Sequence, residues 1–210
     1  MQSAFVKLVI VGDTNVGKTS LVNRYVEDAF SDNLGNTVGV DFFACKMQLF
    51  GQTHTVQLWD TAGQERFKSV VKCYFKSASG VLMIFDLTQR ESYKNIESWL
   101  VDIDDNINPS TAKVLVGNKA DLTDNRVVSY EEAREFAESR KMMYFETSAK
   151  SALGVDVLFE SIVKSIVENM NANGGDQTND STSSSPIRLG EKGGNDPRPP
   201  AKSTSGCCNI

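Results

Sequence analysis

The chain has 210 residues, a net charge of −5 and a pI near 5.0. This length suffices for one α/β domain with a sizeable core and some additional chain. The mildly acidic charge argues against nucleic acid as a partner. The sequence contains no run of 18 or more apolar residues, so it does not predict a transmembrane helix. The N terminus, in which Met1 and Gln2 lead directly into a strand, predicts neither a signal peptide nor N-myristoylation.

The four cysteines do not form a disulfide or zinc-site pattern. Cys45 and Cys73 are isolated, and we predict that both are small, semi-buried hydrophobic residues in a reducing cytosol. Cys207 and Cys208 are adjacent near the chain end.

Strand and helix patterns alternate from residue 4 to about residue 170, without an internal repeat. The predicted strands are residues 5–11, 42–50, 55–59, 80–85, 113–117 and 143–147. The predicted helices are residues 17–27, 65–76, 92–106, 130–140 and 155–169. A turn at residues 51–53 predicts an antiparallel hairpin. The other strands alternate with helices, which predicts an α/β fold whose six-stranded sheet is mostly parallel and carries helices on both faces.

Two local patterns refine this prediction. Ser129 precedes Glu132 by three residues, which predicts a capping box at the start of the fourth helix. Residues 171–206 are rich in Asn, Gly, Ser, Thr and Pro and have almost no large apolar residues, which predicts a flexible, disordered tail. We therefore expect a folded domain over residues 1–170 and a tail over residues 171–210.

A glycine-rich segment lies between the first strand and the first helix and matches the phosphate-binding pattern G-x-x-x-x-G-K-[ST]. Gly12 and Gly17 let backbone N–H groups point at phosphate oxygens, and the helix start adds the positive end of its dipole. Lys18 can reach the outer phosphates, and the Thr19 hydroxyl can hold Mg²⁺. The residues predicted to bind nucleotide here are Asp13, Thr14, Asn15, Val16, Gly17, Lys18, Thr19 and Ser20.

A second motif follows the third predicted strand. Asp60 ends this strand, and a carboxylate facing the phosphate loop suits a Mg²⁺ contact, usually through water. The N–H of Gly63 can approach the terminal phosphate, so this segment can sense whether that phosphate is present. Gln64 can orient an attacking water, which makes it a candidate catalytic residue together with Lys18.

Two further segments predict the choice of base. Asp121 ends the sequence Asn118, Lys119, Ala120, Asp121. Its carboxylate can accept hydrogen bonds from both the N1–H and the exocyclic amine of guanine, whereas adenine has an unprotonated ring nitrogen in place of the N1–H. A buried polar group left unpaired costs roughly 1–3 kcal/mol, so adenine is disfavoured. The segment Ser148, Ala149, Lys150 ends the next strand, where the Ala149 N–H can reach guanine O6. These segments predict GTP and GDP as ligands.

In this order the four motifs are very specific, and over residues 4–170 the chain resembles the Ras-like small GTPases. Residues 38–42, 59–67, 74–78 and 84–88 resemble signature segments of the Rab subfamily. The resemblance implies a P-loop G domain and regulation of vesicle traffic. It also implies that Thr37 contacts Mg²⁺ and the terminal phosphate, that Phe30 packs edge-on against guanine, that Lys119 lies along the base and that Gln64 is catalytic.

Some residues depart from the family pattern. Leu34 replaces a common aromatic residue, and Gly35 and Asn36 follow it, so the segment around Thr37 (switch I) is expected to close less tightly. Thr14 and Asn15 replace smaller residues, and Thr14 is expected to crowd Gln64 or an incoming arginine and slow hydrolysis.

The chain end resembles the double geranylgeranylation site of Rab proteins. Cys207 to Ile210 formally matches C-a-a-X, although Cys208 is not aliphatic. One lipid chain gives only marginal membrane binding. The tail offers no basic cluster, because its four cations are offset by nearby acids (Arg188, Lys192, Arg198 and Lys202 against Asp176, Asp180, Glu191 and Asp196). We therefore expect lipid on both cysteines.

The resemblance further implies a set of partners. It implies slow intrinsic hydrolysis and an activating protein, because no residue here is placed as an arginine finger; Arg66 faces away in the family. It also implies an exchange factor, a GDP-dissociation inhibitor, an escort protein, and effectors that bind switch I, the segment from Gly63 onward (switch II) and a surface near Phe42, Trp59 and Tyr74. The expected location is the cytoplasmic face of intracellular membranes, with an inhibitor-bound cytosolic pool and an ER–Golgi or exocytic step.

Two other functions remain open from the sequence. Many kinases share the phosphate loop, so an enzyme that transfers phosphate to a small acceptor is one alternative. A nucleotide-locked binding module that hydrolyses nothing is the other.

Overall fold

The computed structural model describes residues 3–63 and 73–173, which all belong to a unit ending at Asp176. Six strands form one sheet in the order β2-β3-β1-β4-β5-β6. The strands are β1 (Phe5–Val11), β2 (Val40–Leu49), β3 (Gln52–Thr61), β4 (Gly80–Asp86), β5 (Ala112–Asn118) and β6 (Met143–Glu146). The pair β2–β3 is antiparallel and the other four pairs are parallel, as predicted.

The hairpin turn lies one residue earlier than the sequence predicts. Leu49 pairs with Gln52, so the loop consists of Phe50 and Gly51 alone, and Gln52 already belongs to β3. Both loop residues have positive φ angles, 52° and 74°. This is the two-residue turn whose twist matches that of the flanking strands.

The helices are α1 (Lys18–Glu27), α2 (Arg90–Lys94), α3 (Ile96–Asp104), α4 (Tyr130–Ser139) and α5 (Val155–Asn173), with a 3₁₀ turn at Thr123–Asn125. The predicted helix 92–106 is two helices separated at Asn95. Of the predicted helix 65–76, residues 73–75 are helical, and residues 65–72 lie outside the described residues. The last helix extends past its predicted end at residue 169.

The capping box predicted for α4 is only half formed. The N–H of Glu132 donates to the Ser129 hydroxyl, but the Glu132 carboxylate pairs with Arg90 instead of returning to the cap. The cap still satisfies one of the N–H groups that a helix start leaves open.

Helices cover both faces of the sheet. Leu8 and Ile10 of β1 pack in a cluster with side chains of α1 and α5, whereas Val9 and Val11 pack in a second cluster with side chains of α3 and α4. Alternate residues of a strand point to opposite faces, and all seven residues of β4 are buried. Cys45 is half-buried as predicted, but Cys73 is exposed.

Within the described part of the chain, no helix has the length and apolar character needed to cross a bilayer. The loops that follow β1, β3, β5 and β6 leave the sheet at one edge, because their strands run parallel. Ligands of open α/β sheets bind at this edge.

Candidate nucleotide and magnesium site

The loop between β1 and α1 has two positions that admit only glycine. Gly12 has φ 139°, and a Cβ there would lie 2.1 Å from the carbonyl oxygen of Ile84. Gly17 has φ 94°, and a Cβ there would lie 2.4 Å from Nδ2 of Asn118. Asn118 in turn donates from Nδ2 to the carbonyl of Val16 at 2.8 Å. The segment predicted to recognise the base is therefore attached directly to the glycine-rich loop.

Lys18 is held across this loop. Its ammonium group donates to the carbonyls of Gly12 at 2.9 Å and Asp13 at 2.7 Å, and the side chain is buried. Burial lowers the pKa of Lys18 to about 8, while Asp60 and Asp13 act in the opposite direction. A bound phosphate group would stabilise the charged form, so this lysine is suited to an anionic ligand.

Three oxygen groups predicted to bind the metal lie next to one another. Thr19 donates from Oγ1 to Oδ2 of Asp60 at 2.5 Å, and the Thr19 and Thr37 hydroxyls are 2.8 Å apart. Asp60 is fully buried, and within the described residues its Oδ1 has no hydrogen-bond partner. Burial raises the pKa of Asp60 to about 6, and the Thr19 hydrogen bond and Lys18 oppose this. An unpartnered buried carboxylate oxygen beside two hydroxyls fits Mg²⁺.

Asp13 is turned away from this cluster. Its carboxylate accepts from Nδ2 of Asn95 at 2.7 Å and from Nε1 of Trp99 at 3.0 Å. The break between α2 and α3 at Asn95 leaves that side chain free to reach the phosphate loop. Any contact between Asp13 and a nucleotide would therefore come from its backbone.

The residues predicted to read the base are each held by a neighbour. Ser148 donates from its hydroxyl to Oδ1 of Asp121 at 2.6 Å and accepts from the N–H of Ser151 at 3.0 Å. Lys119 forms an ion pair with the fully buried Asp86 at 2.7 Å. These contacts fix the Asp121 carboxylate and the Lys119 side chain without a ligand.

A cleft of about 490 Å³ brings most of the predicted residues together. The predicted residues that line it are Thr14, Asn15, Gly17, Lys18, Thr19, Ser20, Phe30, Thr37, Gly63, Asn118, Lys119, Asp121, Ala149 and Lys150. Asp13, Val16 and Ser148 do not line it. Gln64, Cys207 and Cys208 lie outside the described residues.

Several residues of this region are not predicted by the sequence motifs. The cleft is also lined by Ser31, Asp32, Leu34, Gly35, Asn36 and Leu122. Of these, Leu34, Gly35 and Asn36 are departures from the family pattern. Asp86, Asn95 and Trp99 were missed because their partners Lys119 and Asp13 lie far away along the chain, where no local pattern connects them.

The geometry of this site agrees with two comparisons with known proteins. Residues 7–168 match the Ras family, so the chain has the fold of a Ras-like small GTPase. The chain is also 38% identical over 202 residues to the Ras-related protein RABD1 of Arabidopsis thaliana, an alignment that covers 96% of this chain and 95% of the relative. The chain belongs to the Rab family of Ras-like small GTPases.

Family membership defines the activity in general terms. The protein is a GTPase that converts GTP to GDP, and it works with the regulators typical of small GTPases. The usual role of Rab proteins is vesicle traffic at membranes.

Proposed function

We propose that this protein is a Rab-type switch that binds GTP and GDP with Mg²⁺ in the cleft between the phosphate loop and the base-reading segments. The observation that carries the proposal is the cluster of Thr19, Thr37 and Asp60 beside the buried Lys18. One threonine comes from α1, one from switch I and the carboxylate from β3. The cluster therefore links the phosphate loop to a segment that can leave when the terminal phosphate is lost.

In the proposed chemistry, Gln64 orients a water for in-line attack on the γ-phosphorus, which breaks the bond to the β-phosphate oxygen and yields GDP and phosphate. Lys18 and the N–H groups of the phosphate loop stabilise the charge on the phosphoryl oxygens. Thr19, Thr37 and Asp60 would hold Mg²⁺, which neutralises charge on the phosphates when it is bound. An activating protein supplies the missing arginine, an effect worth roughly 10³–10⁵-fold in Ras.

Base selection rests on Asp121 and Ala149. Asp121 accepts from guanine N1–H and the exocyclic amine, and Ser148 keeps its carboxylate in place. Lys119 lies along the base while its charge stays paired with Asp86. Phe30 lines the same cleft and packs edge-on against guanine.

The switch acts through contacts that depend on the terminal phosphate. With GTP, Thr37 and Gly63 order switch I and switch II, and hydrolysis releases both segments. Effectors bind these segments and the adjoining aromatic surface, where the Trp59 ring lies 5.0 Å from each of the Phe42 and Tyr74 rings. An exchange factor, a GDP-dissociation inhibitor and an escort protein complete the cycle.

Membrane attachment is proposed through geranylgeranyl groups on Cys207 and Cys208, at the end of a tail that follows residue 170. Two lipid chains are needed because one gives only marginal binding. The proposed location is the cytoplasmic face of intracellular membranes, with a cytosolic pool bound to the inhibitor. An ER–Golgi or exocytic step is the proposed stage of transport.

Replacing Asp121 tests the base-reading proposal. Xanthine carries a carbonyl where guanine has its exocyclic amine, so Asp121→Asn offers a donor where the natural protein offers an acceptor. Competition against labelled GDP should show that the variant loses at least about tenfold in GDP affinity, as expected for losing hydrogen bonds to a charged group. The variant should bind XDP better than the natural protein does. Unchanged preference for GDP over XDP would contradict the proposed role of Asp121.

A further inference from the structure

Arg24 joins the last turn of α1 to the segment that follows β6. Its Nε–H donates to the carbonyl of Ala149 at 2.8 Å, and Nη2 donates to the carbonyl of Lys150 at 3.4 Å. Nη1 donates to the Asp28 carbonyl at 2.9 Å and to the Asp28 carboxylate at 2.7 Å. A planar guanidinium holds several acceptors in one fixed geometry, which an ammonium group cannot do.

The two polar backbone groups of Ala149 are in different situations. Ala149 is buried and lines the cleft, and its carbonyl is occupied by Arg24. Its N–H has no acceptor within residues 3–63 and 73–173. The N–H of the preceding Ser148, in contrast, donates to the carbonyl of Leu153 at 2.9 Å. Buried N–H groups without a partner are rare in folded proteins, so the Ala149 N–H is available for a ligand in the cleft.

We propose that Arg24 is a positioning residue for guanine recognition. By holding the Ala149 carbonyl, Arg24 fixes the backbone of this residue so that its N–H faces guanine O6. This inference rests on the proposed function of the site and deepens it. Both ends of α1 then serve the nucleotide, because the helix begins at the phosphate loop and carries Arg24 about 10 Å further along its axis.

The alternative is a purely structural role, in which Arg24 only stabilises the end of α1. A cation in the last turn of a helix interacts favourably with the dipole, and the Arg24–Asp28 pair is an ordinary i,i+4 contact with an exposed carboxylate. That role would make the fold more stable without favouring one atom of the base. The two roles can therefore be separated by nucleotide analogues that differ at a single atom.

Two analogues provide this separation. In 6-thio-GDP the O6 acceptor is replaced by sulfur, a weak acceptor, whereas N1–H and the exocyclic amine remain. IDP keeps O6 and lacks the exocyclic amine that Asp121 reads. Competition of each analogue with labelled GDP, on the full-length Mg²⁺-loaded protein, gives its affinity relative to GDP.

The natural protein should bind 6-thio-GDP roughly fivefold more weakly than GDP, as expected for one weakened hydrogen bond. In Arg24→Gln this ratio should fall below about twofold, while the IDP-to-GDP ratio stays unchanged. Asp28→Asn is the matched control, because it removes the exposed carboxylate and keeps the carbonyl contacts. It should preserve both ratios.

An unchanged 6-thio-GDP ratio in Arg24→Gln, or an equal fall in both ratios, would overturn the inference. Arg24→Lys supplies a second variant if the glutamine variant does not fold, since it keeps the charge at the helix end and loses the planar fork. It should also lower the 6-thio-GDP ratio. If the variant keeps the ratio of the natural protein, this would equally contradict the proposal. A natural protein that prefers ADP to GDP would instead contradict the proposed function of the site.

Discussion

At the residue scale, two opposing effects act on the protonation of the buried Asp60 carboxyl group. Without a cation, burial favours its protonated form and raises its pKa to about 6, and the Thr19 hydroxyl donates a hydrogen bond to it. A cation held here favours the ionised form instead. Burial of this carboxylate is therefore costly by itself, and the proposed Mg²⁺ would offset that cost.

This conflict predicts how Mg²⁺ binding depends on pH. A proton on Asp60 must leave before Mg²⁺ binds, so the Mg²⁺ concentration that slows GDP release should rise about tenfold for each pH unit below 6. Above pH 6 the carboxylate is already ionised, and its contribution to the pH dependence should disappear. Release of labelled GDP, measured at several Mg²⁺ concentrations between pH 5 and 7.5, checks this.

Asp60→Asn is the control for this pH dependence, because phosphate groups of the nucleotide also titrate near pH 6. The variant should bind Mg²⁺ more weakly and show only the shallower dependence of the nucleotide. A variant whose dependence matches that of the natural protein would mean that Asp60 does not exchange a proton for the metal.

At the element scale, α3 holds the phosphate loop in place through Asp13. The carboxylate accepts two side-chain donors, one from the break between α2 and α3 and one from the buried indole of Trp99. Hydrogen bonds to charged groups are worth roughly 1.5–3 kcal/mol. The loop conformation is thus supported by a helix that does not line the main cleft.

Replacing the indole tests this support. Trp99→Phe keeps a buried ring but removes the N–H that Asp13 accepts, so we expect a loss of about 2–4 kcal/mol in unfolding free energy, including the smaller ring volume. We also expect faster GDP release. Trp59→Phe is the matched control, because within the described residues the buried Trp59 N–H has no hydrogen-bond partner. Equal losses in the two variants, measured by denaturant unfolding, would contradict a role for the Asp13 contact.

The elements were largely predictable from the sequence, and their contacts were not. The strand 5–11 was predicted to the residue, since its apolar run ends at the phosphate loop. The break at Asn95 was missed because the apolar spacing of Ile96, Trp99 and Ile103 continues the helical pattern. The turn was misplaced because Phe50 adopts a positive φ angle that its side chain disfavours.

The residues of the candidate site lie in short local motifs, whereas the residues that hold them in place are distant along the chain. Phosphate, metal and base recognition are predicted from short motifs, so local spacing alone was enough to propose Lys18 and Asp121, and the structure places both in one cleft. The groups that hold them come from distant parts of the chain. Asp86 lies 33 positions before Lys119, and Trp99 lies 86 positions after Asp13. Only the folded structure brings these pairs together.

At the scale of the whole molecule, the proposal divides the chain into a nucleotide-binding part and a membrane-attachment part. Removing residues 177–210 should leave GDP affinity and turnover unchanged and abolish binding to lipid vesicles. With both Cys207 and Cys208 present, mass spectrometry of the cellular protein should show two geranylgeranyl groups. Cys208→Ser should carry one geranylgeranyl group and bind lipid vesicles only weakly. A natural protein with one lipid or none, or a truncated protein that still binds vesicles, would contradict this division.

In the proposed function, the cleft binds a guanine nucleotide and hydrolyses it slowly. The most direct measurement is to purify the protein with Mg²⁺, denature it and chromatograph the released nucleotide, and then follow hydrolysis of added GTP in the natural protein and in Gln64→Leu. We expect bound GDP, slow turnover and loss of that turnover in the variant. Bound adenine nucleotide or an empty cleft would contradict the base-reading role of Asp121. Turnover that survives in Gln64→Leu would contradict the proposed catalytic role of Gln64.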